Sequence, residues 1–166
     1  MDKATLISGM KYSRERLLGT LDGIEKSGYD MKTVLAWRPG PGRAHIGWQA
    51  IHCAATLDRY LNVGVLKQSP ADPKLCEDFA GGSTPSDHNV PSLAEIREKL
   101  EKTLSIFVRF IESQSPEEMT LQRPFGKAGQ TRNLEESVQL LTWHEAHHQG
   151  QIHLTWNLFK AAHPAT

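Results

Sequence analysis

Acidic and basic residues cancel, 19 against 19. The chain therefore lacks the one-signed charge with which proteins grip nucleic acid, and no nucleic-acid partner is expected. No apolar run approaches the roughly 20 residues that cross a bilayer. The opening stretch MDKATLISGMKYSRERLLG has neither the apolar region nor the cleavage site of a secretory signal, so no membrane partner is expected either. Cysteine is scarce, with only Cys53 and Cys76. Two thiols make no disulfide framework, and a reducing cytoplasm is the expected location. Cys53 lies in an apolar helical stretch and is expected in the core. Strand-like alternation is weak, and neither repeats nor low-complexity tracts occur. Histidine is what the chain has in excess: eight copies, four of them between 144 and 153.

A chain of 166 residues is enough for one domain, 1–166, with a real core. Four segments carry the helical period. Leu6, Met10, Leu17, Leu21 and Ile24 line one face of the first, and Ile46, Ala50, Cys53, Leu57, Leu61 and Gly64 line the second. The third opens at Ser92 with Glu95 three residues on, a capping-box pattern, and carries Leu93, Ile96, Leu100, Leu104, Phe107 and Ile111. The fourth opens at Asn133 with Glu136 three residues on and runs to about Lys160. These segments predict an all-α four-helix bundle. The connections over 26–44, 67–91 and 115–132 are long, which argues against simple up-down-up-down wiring. The second is predicted to be an irregular loop, and the third to hold a short hairpin around GKAG.

On the fourth segment, successive residues turn by about 100°, so seven-residue columns are nearly aligned. Leu134, Leu141, His148 and Thr155 form one column, Ser137, His144, Gln151 and Leu158 the next, and Val138, Glu145, Ile152 and Phe159 a third. The outer two hold the apolar residues that must face the core, which puts His144 and His148 on the buried seam about 40° apart. Two imidazoles at i and i+4 on an inward face make a clamp for zinc, nickel, copper or iron. The alternative is a hydrogen-bonded pair of core histidines, since an unsatisfied buried ring nitrogen costs about 1–3 kcal/mol. His147 and His153 point elsewhere and are expected in solvent or supporting the site from outside.

His144, Glu145 and His148 also spell H-E-x-x-H, the zinc-protease pattern. That chemistry needs a third protein ligand, and QGQIHLTWNLFKAAHPAT after His148 contains no Asp or Glu. The extension with Gly and His at fixed offsets meets Gln151 and Leu154 instead. A third ligand must come from another helix. The second segment offers His52, well inside it, and His45, at its start, where a capping role is the plainer expectation. Position favours His52, with His45 left open.

IGWQAIHCAATLDRYL, followed far downstream by LTWHEAHHQGQIHLTWNLFK, resembles the DinB/YfiT-like superfamily. Its pattern is one histidine after a Gly-Trp helix start, then H-x-x-x-H-x-G-Q on the last helix. The stretch LAWRPGPGRAHIGW also looks like that family's approach to its second helix. The resemblance implies a four-helix bundle wired up-down-down-up, with a long crossover between the second and third helices. It also implies a nickel or zinc ion held by His52, His144 and His148 in a cytoplasmic protein that often dimerises. Relatives of this kind include thiol-dependent S-transferases and an isomerase, so the expected function is a metal-dependent thiol transfer to a small electrophile. A metal-dependent hydrolase, or a non-enzymatic metal-binding or stress-associated bundle, are the alternatives.

Glu145 is a candidate catalytic base or orienting carboxylate, against a structural carboxylate paired with a cation. Gln151 is expected to support the site by a hydrogen bond rather than to touch substrate. Trp48 and Trp143 are candidate pocket walls, though aromatics at helical spacing usually pack. Arg38, Arg43, Arg123 and Arg132 lie in loops and are weaker candidates for holding an anionic thiol.

Overall fold

The computed structural model describes residues 1–125 and 129–164. Its helices are α1 (Lys3–Glu25), α2 (Met31–Ala36), α3 (Ile46–Asp58), α4 (Pro73–Phe79), α5 (Leu93–Ser113), α6 (Pro116–Thr120) and α7 (Leu134–Ala162). A π-helical extension, Arg59–Val65, continues α3. Two short strands, β1 (Arg123–Pro124) and β2 (Thr131–Arg132), pair antiparallel before α7. They flank the predicted GKAG hairpin, of which Gly126, Lys127 and Ala128 lie outside the described residues. None of the helices is long and apolar enough to cross a membrane.

The long helices start where short polar side chains can take up free N–H groups. Asp2 accepts from Thr5 N–H at 2.9 Å for α1, and Ser92 accepts from Glu95 N–H at 3.2 Å for α5. Asn133 and Glu136 make the reciprocal capping box of α7.

The bundle is wired up-down-down-up. Ser13 bonds the Thr142 carbonyl and Gln149 bonds Thr20, so α1 and α7 run side by side in the same direction. Lys3 reaches Gln114 O while Arg97 reaches Asp22, so α5 runs opposite to α1. Two apolar clusters fill the interior. One joins Leu17, Leu21, Ile51, Ile96 and Ile152; the other joins Met10, Leu57, Phe107, Leu134 and Val138. The first half of α3 meets the second half of α7, so these two are antiparallel.

The connections hold more structure than their turn residues suggest. The crossover over 67–91 is not wholly irregular: Asp72 caps α4 with Pro73 in its first turn, and Leu75 and Phe79 are buried. Pro at that position surrenders an N–H that had no partner, so Asp-Pro starts a helix as readily as a turn. The segment 26–44 likewise holds α2, capped by Asp30, and 115–132 holds α6, with a Ser115–Glu118 capping box. With α2 and α4 packed beside it, α3 is buried on nearly every face, and His45, Gln49, His52 and Asp58 are buried with it.

Candidate metal centre

The 3.6-residue period sets His144 and His148 one turn apart on α7. The antiparallel α3 brings His52 against both. One nitrogen from each of the three rings lies within 4.8 Å of the others. His52 Nε2 stands 3.2 Å from His144 Nε2. Ring centroids are 5.1 Å apart for His52–His144, 4.7 Å for His52–His148 and 4.6 Å for His144–His148. Two nitrogens each about 2.0–2.1 Å from one ion, at the tetrahedral angle, stand about 3.3 Å apart. The spacing therefore suits a shared ligand.

The protonation pattern suits it too. His52 Nδ1 lies 2.5 Å from the Phe79 carbonyl, which only accepts, so Nδ1 carries the hydrogen and donates it. The neutral ring then presents a bare Nε2 toward His144, with Thr56 Oγ1 3.4 Å away. Trp48 stacks on the His52 ring at 4.5 Å and 11°, fixing its plane. His148 Nδ1 is buried with no hydrogen-bond partner among the described residues. Burial pushes the pKa of His52 down, against the opposing pull of the Phe79 carbonyl. Burial, then the mutual repulsion of the ring charges, brings His144 down to about 4 and His148 down to about 3. All three rings are thus neutral near pH 7, the state that binds a metal.

The remaining candidates go elsewhere. His45 caps α3: its Nδ1 accepts from Trp48 N–H at 2.9 Å, and Nε2 lies 3.2 Å from Ser86 O. Glu145 is buried, with Oε1 2.5 Å from Arg14 Nε and Oε2 2.9 Å from Nη2. Arg14 Nη1 donates to the Leu100 carbonyl. Of the two roles open to this carboxylate, base or partner of a cation, its surroundings match the second: it lies in a separate polar centre with both oxygens engaged. Gln151 does not touch the three histidines. It is exposed and donates to His147 Nε2 at 2.8 Å, while His147 stacks on the exposed Trp143. The physical reason is drift, because seven residues fall about 20° short of two full turns. The Ser137, His144, Gln151, Leu158 column accordingly walks from buried through half-buried to exposed, so His144 lies at the seam's edge.

Two contributors, Arg14 and Phe79, escaped the sequence reading. Arg14 had a signal, a charge in the apolar column of Met10, Leu17 and Leu21. Phe79 had the Asp-Pro helix start before it. Trp48, a candidate pocket wall in the sequence, lies against the site by stacking on His52, its i+4 neighbour. Both cysteines are poor nucleophiles: burial raises the Cys53 thiol, and burial together with the Asp58 carboxylate pushes Cys76 up to about 12.

The fold and the three-histidine cluster define a helical bundle with a candidate metal centre shared between its second and last long helices. A family model of the DinB superfamily matches residues 10–152, a span that contains all three histidines, and the chain belongs to that superfamily. No curated protein matches the chain.

Proposed function

We propose that this DinB-superfamily chain is a metal-dependent enzyme that transfers a small external thiol to an electrophile. In this reading His52, His144 and His148 hold a divalent ion, nickel or zinc. The observation that carries it is the convergence of three neutral imidazoles from two helices, with the His52 lone pair aimed inward by the Phe79 carbonyl. A divalent ion held there would supply Lewis acidity that favours the ionised form of a thiol or water beside it. The chain's own residues orient and shield. Phe79 selects the His52 tautomer, Trp48 covers one ring face, and Arg14 with Glu145 secures α7 from the other side. With Cys53 and Cys76 held as neutral thiols, the nucleophile comes from outside the chain.

A second reading is a bundle that uses the metal for stability, supported by the cluster's position as a tie between α3 and α7. Elemental analysis of untagged protein, followed by assays of electrophile consumption with and without low-molecular-weight thiols, tests both. Thiol-dependent turnover that disappears in His144→Ala and His148→Ala is the expected result. Turnover that survives both substitutions overturns the enzymatic reading, and thiol-independent hydrolysis would replace transfer by a hydrolase. The homodimer implied by the resemblance is supported by Trp143, Leu154 and Leu158 exposed on α7, and sedimentation velocity checks it.

A further inference from the structure

At the end of the bundle where α3 gives way to its π-helical extension, a cleft of about 490 Å³ opens toward the β1–β2 ladder. Its walls include Arg59, Tyr60, Lys67, Arg123, Phe125 and Arg132, and among the described residues no carboxylate lines it. The ladder register sets Arg123 directly opposite Arg132. Like charges facing each other across strands are destabilising, so the arrangement asks for a compensating anion.

The protein supplies none among its described residues. None of the four cations is in an ion pair. They are positioned by carbonyls and an aromatic ring instead. Arg59 Nη1 donates to Gly81 O at 3.0 Å, and Lys67 Nζ to Gly64 O at 2.6 Å. Arg123 Nη1 donates to Glu118 O and Leu121 O, while the Arg132 guanidinium lies 4.4 Å over the Phe125 ring. Nearby acids are committed to helix starts: Glu118 bonds Ser115 N–H and Glu136 bonds Asn133 N–H. Burial raises the Tyr60 phenol, while Ser137 and then the Arg123 and Arg132 charges pull it back down. The guanidinium groups are fixed in place, not neutralised, and each keeps N–H donors to offer. The wall opposite the ladder is a π-helical turn, a conformation often found at functional sites; it ends at Val65, and two residues on Lys67 has φ of 56°.

We propose that this cleft binds a small oxyanion of at least two negative charges, a phosphate group, with Arg59, Arg123 and Arg132 as its principal donors. Guanidinium forks match phosphate oxygens in geometry and charge. Arg59 follows His52 by seven residues, about 10 Å along the helix, so this site is separate from the histidine cluster and stands whether or not that cluster holds a metal. The concave shape selects a small molecule over a polymer.

The test is an NMR titration of chelator-treated full-length protein with inorganic phosphate and, separately, phenyl phosphate, at constant ionic strength against chloride. Saturable shifts confined to amides of residues 59–67, 123–125 and 129–132 are expected. Tighter binding of phenyl phosphate identifies an ester with an apolar group as the ligand class; equal binding identifies the phosphate itself, and both uphold the site. Arg123→Gln and Arg59→Gln, one on each wall, should each weaken binding at least tenfold. Without phosphate, Arg123→Gln should melt no lower than the parent, because it removes a repulsion. Phosphate shifts no larger than those of chloride, or centred outside the cleft, overturn the proposal, as does undiminished binding in both variants.

Discussion

Two polar centres, one buried and one half-buried, meet α7 at adjacent positions, and they are built to opposite rules. Glu145 joins Arg14, and the pair is closed: both carboxylate oxygens take guanidinium N–H groups, and a further guanidinium nitrogen finds the Leu100 carbonyl. His144 joins His52 and His148, and that group is open. Three neutral rings face one another, and His148 Nδ1 finds no partner among the described residues. A closed centre holds helices in place, whereas an open one retains the capacity to bind something the chain does not contain. The first ties α1, α5 and α7 together; the second spans α3 and α7.

The largest effect should come from breaking the closed centre. Glu145→Ala strands a buried guanidinium and should cost about 3–5 kcal/mol in urea-unfolding experiments. The double change Arg14→Met with Glu145→Leu should recover most of that loss, since apolar groups of similar volume often replace a buried pair at little cost. A single-site loss below about 1 kcal/mol would show that the pair is not the tie described here.

The open centre should respond the other way round. His148→Ala or His144→Ala should change the stability of the metal-free protein by less than about 1 kcal/mol, within the range of ordinary surface substitutions. Nickel or zinc affinity measured by calorimetry should fall by more than about 100-fold, beyond the usual effect of removing a supporting partner. Comparable losses of stability in both centres would erase the distinction.

His45 sharpens the contrast on a single helix. It is as buried as His52 but has protein groups beside both ring nitrogens. His45→Ala should cost about 1 kcal/mol, as cap removal does, and His45→Asn should retain most of the cap. Metal affinity should be unchanged in both.

The last contrast is in the pH dependence. His45, His52, His144 and His148 all titrate below the ordinary imidazole value of 6.5 in the folded chain, in each case chiefly through burial. Below that value the unfolded chain takes up protons the folded chain refuses. The stability of the metal-free protein is therefore full above about pH 6.5 and is lost as pH falls through about 4 and then 3 for His144 and His148. Denaturation midpoints taken between pH 7.5 and 4.5 should decline accordingly.

The stripes of all four long helices were legible, because a helix that buries one face must repeat its apolar residues at the helical period. Leu6, Met10, Leu17, Leu21 and Ile24 are all buried, as are Ile96, Leu100, Phe107 and Ile111. The short helices were not, because Asp72-Pro73 and Ser115-Pro116 serve turns and helix starts alike. The column count for α7 put His144 on the buried seam, where it is half-buried, and carried Gln151 too far inward, since a straight helix drifts away from a seven-residue repeat.

The sequence by itself determined that His144 and His148 share one helix face, since their separation is local and the α-helix has one pitch. It also determined that Cys53 is core and that Asn133 starts the last helix. Only the tertiary structure decided that Glu145 faces Arg14, that Gln151 meets His147, and that the Phe79 carbonyl, 27 residues from His52, selects the tautomer. Those outcomes depend on the rotation of each helix about its axis and on the up-down-down-up wiring. Both are set by packing among residues distant in the chain, which no local period encodes.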